Sequence, residues 1–340
     1  MKVGTDTQIL VESKLGESEK YKYYSATTLN IKEILAVANH NIKTTLNSLK
    51  YLVSCNKLNK NKEVDCLMYR LYWDIIPYFT CRYRSYLFKK NIVAEFAPGL
   101  KEIGKYARKH NIRLSFHAPM NCVLNSVKDI VLANSIYELN QLTYIFKLMG
   151  YNTNKWHPYG CTICTHCGSK EGGVKNYIKG FMQLSSEAKN FVAVENDTSC
   201  FSAKDLLPIA DYCPIILDIH HNWLNTGKYL KSTGKTAKLI RKSWKKCTPK
   251  IHCSMPQKEL LDGIYEDVIF KSKPEGRLEL KMGLPNFNII NSVVSKQKLN
   301  KHSSYIWSKS IIDYCKEFNS DIMIEAQMCS LASLSFVVNC

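Results

Sequence analysis

Short apolar runs recur along this chain with amphipathic stretches between them, and that alternation restricts the fold more than any other feature. The runs cover residues 66–71 (CLMYRL), 112–116 (IRLSF), 191–194 (FVAV), 214–217 (PIIL), 250–252 (KIH) and 321–324 (DIMI). Further runs near 1–4 and 154–156 bring the set to eight. Helix-like stretches separate them, at 31–53, 99–109, 127–149, 173–189 and 202–210. Strand-then-helix alternation of this kind indicates an α/β fold with a parallel sheet. Eight such units closed on themselves make a TIM-type (β/α)8 barrel. An open doubly wound sheet competes, but no Gly-rich phosphate loop follows any run. No repeat and no Pro/Gly/Ser-rich linker divides the 340 residues. The expectation is therefore one barrel domain over 1–340, with an insertion at about 158–170 and a helical segment at about 285–318 before the last strand.

In such a barrel the chemistry collects at the carboxyl ends of the strands. Here those ends share a bias. The third run finishes at His117, the fourth at His157 and the fifth at Glu195. The sixth runs into Asp218, Ile219, His220 and His221, the seventh ends at His252 and the eighth at Glu325. One histidine after a strand is most often structural. Six consecutive ends in His, Asp or Glu are much harder to assign to packing. Imidazole and carboxylate together suit zinc, manganese or iron, and a carboxylate can bridge two ions. Paired ions stabilise both the attacking and the leaving oxygen of a phosphodiester.

Charge adds a partner. There are 47 Lys and Arg against 29 Asp and Glu, a formal +18, and a field of that size attracts polyanions, DNA or RNA foremost. Lys-rich, Asn-rich and Tyr-rich usage from an AT-rich coding genome is the competing explanation. A basic stretch at 228–250 lines phosphates or forms a solvated helix face. Residues 81–86 (CRYRSY) alternate cations with aromatics directly after a strand, which suits phosphate contact with base stacking through Arg82 and Tyr83. Basic charge and strand-end donors together point to a metallonuclease.

The same residues carry a resemblance. Residues 70–78 (RLYWDIIPY), 113–117 (RLSFH), 194–197 (VEND), 217–221 (LDIHH), 249–252 (PKIH) and 321–326 (DIMIEA) resemble the UV damage endonuclease family, in the family's order and over roughly 1–330. That family is similar in fold and metal site to endonuclease IV type apurinic-site nucleases. The resemblance implies an endonuclease that uses two or three divalent ions, manganese foremost with zinc or magnesium as alternatives. It implies incision of damaged double-stranded DNA directly 5′ of the lesion, leaving a 3′-hydroxyl. It further implies that His117, His157 and Glu195 hold one metal, that Glu195 bridges to a second held by Asp218, His252 and Glu325, and that His221 serves a third. Lys250 matches a lysine carboxylated in the family. Strand residues two apart share a face, so Lys250 and His252 both reach the barrel mouth.

Departures from the family are equally informative. A Gln-Tyr pair that probes damaged bases is replaced in residues 118–121 by Ala118, Pro119, Met120 and Asn121. The tyrosine of the first strand-loop matches Thr5, and an active-site histidine after the second strand falls on Cys81. No late histidine for a third ion stands near 263–268. About five extra residues follow His157, so His166 competes for its role. Within them Cys161, Cys164 and Cys167 are spaced as for zinc or part of an iron–sulfur cluster, or are thiols of a surface loop.

An apurinic-site nuclease with the same metals, a TIM-barrel sugar isomerase and an inactive DNA-binding scaffold are the alternative functions. The charge and the absence of an obvious lysine-histidine sugar site oppose the isomerase, and the nearly complete ligand set opposes the scaffold. No apolar run reaches the ~18 residues of a membrane span, and Met1 to Thr7 lacks a signal-peptide core. The expectation is an intracellular protein with reduced thiols and no membrane partner.

Overall fold

A computed structural model describes residues 1–12, 18–60, 63–261, 268–269, 279–280 and 284–340. The main strands are β1 (Lys2–Thr5), β2 (Asp65–Leu71), β3 (Arg113–His117), β4 (Thr162–His166), β5 (Val192–Glu195), β6 (Ile215–Asp218), β7 (Lys250–Cys253) and β8 (Asp321–Ile324). They are hydrogen-bonded neighbours in chain order, and β8 returns to β1, closing the barrel. Each pairing with a defined register is parallel: β2 with β3, β3 with β4, β6 with β7, β7 with β8, and β8 with β1. Strands sandwiched between an interior and a helical layer need apolar side chains on both faces. That is why the runs at β5, β6 and β8 are buried at every position.

Larger helices follow the strands: α1 (Ile31–Leu58), α2 (Lys90–Lys109), α3 (Asp129–Leu148), α4 (Gly173–Met182), α5 (Ile219–Thr226), α6 (Lys235–Ser243), α7 (Lys309–Lys316) and α8 (Cys329–Val338). On α1 the buried residues Ile34, Ala38, Ile42, Leu49 and Leu52 recur at intervals of three, four or seven, which is one face of a helix. None of the described helices is long and apolar enough to cross a membrane.

By internal contacts the chain divides into two compact units, one formed by Met1–Ser18, Leu58–Cys66 and Glu195–Cys340, the other by Glu19–Lys57 and Leu67–Val194. In the second unit, Phe116 of β3 packs edge-on against Phe146 of α3 at 5.1 Å, and Thr165 of β4 meets the Tyr177 hydroxyl of α4 at 2.6 Å. Successive strand side chains alternate in face, so Ser115 and His117 on β3, and Cys164 and His166 on β4, turn to the interior. Gly104 on α2 lies so close to the end of α3 that a Cβ there would stand 1.9 Å from the Met149 carbonyl oxygen. In the first unit the β7–β8 register sets Lys250 beside Asp321 and His252 beside Met323.

Two expectations about elements are corrected. Residues 154–156 are turns rather than strand, because Asn152 Oδ1 accepts from the Asn154 amide and His157 adopts a left-handed φ of 39° before Pro158. The fourth strand is Thr162–His166, inside the stretch expected to be an insertion. Residues 202–210 make only the 3-10 turn Leu207–Ile209, where Pro208 supplies no amide for a longer helix. Between β7 and β8 the expected helical segment contains Phe287–Asn291, Lys296–Leu299 and α7.

Candidate metal centre

Glu195, Asp218, His252 and Glu325 stand at the carboxyl ends of β5, β6, β7 and β8, and one ligand atom from each lies within 4.8 Å of the others. Glu195, Asp218 and His252 are fully buried and Glu325 nearly so. His252 Nδ1 donates to Glu195 Oε1 at 2.9 Å and faces Glu325 Oε1 at 3.0 Å. Burial alone would lower the His252 pKa, but the two carboxylates overcome it and hold the imidazole protonated above its ordinary range.

Asp218 is both strand terminus and helix cap. Its Oδ1 accepts from the His221 amide at 2.6 Å, capping α5, which begins at the next residue. Its Oδ2 is buried and takes no hydrogen bond among the described residues. Burial pushes the Asp218 carboxyl up to about 6, with Glu195 and Glu325 adding to the effect and His221 opposing it. Asn196 fixes the backbone here: its amide group donates to the Asp218 carbonyl at 3.0 Å, and its Oδ1 accepts from the Asp218 amide at 2.9 Å. Asn196 is not among the site residues expected from sequence, although it directly follows Glu195.

His221 sits in the first turn of α5 with Nδ1 3.6 Å from Glu195 Oε1 and 3.7 Å from Asp218 Oδ2. Burial works against its charge, yet Asp218, Glu195 and Glu325 carry its pKa up to about 9. Its neighbour His220 points elsewhere, hydrogen-bonding the Leu299 carbonyl and stacking on Trp223, and burial keeps it neutral. A histidine that sequence does not single out is His302, whose ring lies 6.3 Å from that of His221. A bridge to Pro256, four residues beyond His252, holds it there. The 263–268 stretch, where the family would place a late histidine, lies mostly outside the described residues. His302 carries no linear motif that could flag it.

In the other unit His117 ends β3 and His166 ends β4, with ring centroids 5.1 Å apart. His117 Nδ1 donates to its neighbouring Ala118 carbonyl at 2.8 Å, which places the ring lone pair on Nε2. Cys164 is the Cα partner of His117, and its Sγ lies within 4.8 Å of a His117 ring nitrogen. His157 is elsewhere. It precedes β4, is buried, and its Nδ1 donates to the Cys161 carbonyl at 2.9 Å. That position is the amino end of the strand, so the structure pairs His117 with His166 and leaves His157 apart.

Among the remaining expected residues, Thr5 is buried at the end of β1 beside Ile324. Lys250 is buried at the start of β7, two residues below His252 on the same face. Cys81 is half-buried after β2 and precedes a 3-10 turn, Arg82–Leu87. Tyr83 and Tyr86 on that turn are 59% and 61% exposed. Met120, after β3, is 75% exposed, and Asn121 beside it is also exposed. Cys161, Cys164 and Cys167 do not form a donor group of their own among the described residues.

The donor set fits a divalent ion. Three buried carboxylates within 4.8 Å of one another repel unless protonated or countered, and here the countercharges are His252 and His221, both with raised pKa. A cation with oxygen and imidazole preference satisfies the same oxygens, including the buried Asp218 Oδ2.

A family model described as UV-endonuclease UvdE matches residues 5–338. The chain belongs to that family. Among UvdE-related proteins, a UV DNA damage endonuclease of Clostridium perfringens is 26% identical over 92% of this chain and 62% of its own length. One from Bacillus thuringiensis is 22% identical over 95% of this chain and 85% of its own length. A relative from Acanthamoeba polyphaga mimivirus is 28% identical over 62% of this chain and 63% of its own length. The chain thus spans less than two thirds of the mimivirus and Clostridium proteins. The crystal structure of SacUVDE superposes with a TM-score of 0.71 at 23% identity, covering 99% of this chain and 96% of that one. This chain's closed barrel of eight strands therefore shares its fold with that structure over nearly its whole length.

Proposed function

We propose that this chain is a metal-dependent DNA repair endonuclease that nicks duplex DNA 5′ of UV photoproducts and related lesions, leaving a 3′-hydroxyl. One observation supports this most: the buried convergence of Glu195, Asp218, His252 and Glu325 at four successive strand ends of a UvdE-family barrel. In this reading those four residues would hold divalent ions, and His117 with His166 would offer donors of their own. His221 and His302 serve a third position. Bound divalent ions supply positive charge to a phosphodiester and a nucleophilic water at neutral pH.

The chain's own residues supply position and a closed environment. Asn196 and the α5 cap hold Asp218 rigidly, so its free oxygen is preset. The surrounding apolar strands exclude water and sharpen each electrostatic contact. A formal charge of +18 supplies phosphate affinity independent of sequence.

Manganese is the foremost ion in this reading, with zinc and magnesium as alternatives. A narrower activity on abasic sites is the second reading, favoured by the loop at 118–121, where an exposed methionine stands in place of an aromatic ring. Incubation of the purified protein with manganese and three duplexes, carrying a photoproduct, an abasic site or no damage, tests both. Nicking of the photoproduct duplex 5′ of the lesion supports the first reading. Nicking of the abasic duplex alone supports the second, and equal or no nicking of all three overturns both.

A further inference from the structure

We propose that Cys164 is a metal donor beside His117 and His166, and that its sulfur makes these two strand ends select zinc over manganese. The inference rests on the reading that these strand ends bind divalent ions; it adds a donor type which that reading lacks and puts zinc in place of manganese at this one position.

Geometry sorts the thiols of this segment. Thr165 faces the helical layer through Tyr177, so Cys164 and His166, on the opposite face of β4, turn to the interior. Cys164 lies next to His117 in the β3–β4 register, and the ladder continues past it, with the Ala118 amide donating to the Cys164 carbonyl at 2.9 Å. The Sγ is buried and within 4.8 Å of a His117 ring nitrogen. His117 already spends Nδ1 on the Ala118 carbonyl. This carbonyl contact selects the tautomer that carries its lone pair on Nε2, the arrangement common to metal-bound histidines. Cys161 and Cys167 take no part: Cys161 lies against Tyr151, and Cys167 Sγ accepts from Asn125 Nδ2 at 3.3 Å. The CxxCxxC spacing thus breaks up, one thiol going to the interior face and two to packing.

Chemistry then distinguishes a thiol with imidazoles from the carboxylate-rich group of Glu195, Asp218, His252 and Glu325. Thiolate with imidazole is a zinc-type donor set, whereas carboxylate-rich sets also suit manganese and magnesium. Binding requires the thiol to give its proton to solvent, so the metal–sulfur bond replaces the S–H bond with no change of oxidation state.

Cobalt substitution tests the assignment. With cobalt(II) the unmutated protein is expected to show visible d–d bands together with a near-ultraviolet sulfur-to-cobalt charge-transfer band. Cys164→Ser should keep the d–d bands and lose the charge-transfer band. Its retention of zinc against excess manganese should fall on the order of tenfold or more. Cys164→Asp should also lose the band while taking up manganese more readily than the unmutated protein. If Cys164→Ser does not fold, the unmutated protein still decides the matter: cobalt or zinc should slow iodoacetamide alkylation at Cys164, read by peptide mass spectrometry, while manganese does not. A d–d spectrum without the charge-transfer band, or a band that survives in Cys164→Ser, overturns the thiolate ligand and leaves the metal site standing. Failure to take up cobalt at all overturns both.

Discussion

His252 Nδ1 stands 2.9 Å from Glu195 Oε1, and the two residues are buried at the ends of β7 and β5. A protonated imidazole thus sits where a second cation would compete for the same carboxylate. Glu195→Gln removes the shared anionic oxygen at nearly constant volume. Nicking of a damaged duplex should fall by ~100-fold or more, a loss of ~3 kcal/mol of transition-state stabilisation, while DNA binding by the basic surface changes little. Parallel nicking and gel-shift titrations on one abasic duplex measure both. Near-normal nicking by the variant would remove Glu195 from the centre.

Asp218 caps α5 and offers Oδ2 to the centre, and two substitutions separate those tasks. Asn also caps helices well, so Asp218→Asn should retain most of the thermal stability of the apoprotein and lose metal affinity. Asp218→Ala should lose both, with about 0.5–2 kcal/mol of additional destabilisation from the missing cap. Melting of EDTA-treated protein, alongside metal titration by calorimetry, distinguishes them. Equal stability of the two variants would show that the cap contributes nothing.

The pH dependence of stability should carry the mark of Asp74 and Glu138. Burial pushes each carboxyl up to about 7, and the Asp74 charge further raises Glu138, although Thr80 donates to Glu138 Oε1 and the Tyr78 amide to Asp74 Oδ1. A carboxyl whose folded pKa is raised contributes stability fully present below its unfolded value near 4 and lost as pH rises through about 7. Stability, and Tm with it, should therefore fall between about pH 4 and about pH 7, by on the order of 1–3 kcal/mol, and level off above. Glu138→Gln should flatten the slope. Thermal melts of both proteins in matched buffers check it, and identical slopes would refute the assignment.

Lesion preference should follow the loop after β3. Unstacking a damaged step costs a few kcal/mol, roughly, and an aromatic wedge recovers ~1–3 kcal/mol per base by stacking. Met120 and Asn121 offer exposed side chains at this place without a ring. Abasic sites and strongly distorting photoproducts should be cut faster than cyclobutane dimers, and Met120→Gln with Asn121→Tyr should narrow the gap. Relative kcat/KM values on the three lesions decide it. Dimers cut as fast as abasic sites would move attention to Tyr83 and Tyr86 on the turn after β2.

The barrel is legible in the sequence because fully buried parallel strands leave continuous apolar runs, and β2, β3, β5, β6, β7 and β8 all fall on or beside such runs. The donors at Glu195, Asp218, His252 and Glu325 are legible for the same reason, lying at or just past the ends of those runs. The fourth strand escapes because β4 is polar in composition (TICTH), while the nearby Trp156 and His157 imitate a strand end. His302 is invisible because its position depends on a bridge to Pro256, a contact between residues far apart in the chain. Asn196 stands in a recognisable motif, but its two hydrogen bonds to the Asp218 backbone emerge only from the fold.

The parallel ladder acts as a ruler for the donors. His252 is level with Asp218 across one pairing and with Met323 across the next, so lateral spacing comes from strand register and owes nothing to the count of residues between strands. From Cys253 to Asp321 the connecting chain can, outside the Pro256 and His302 positions, change in length and composition while Glu325 still arrives beside the Cys253 carbonyl, which accepts from its amide at 2.9 Å. Divergence can thus proceed freely in the connections, and kinship at 22–28% identity is compatible with a donor arrangement kept in place by backbone geometry.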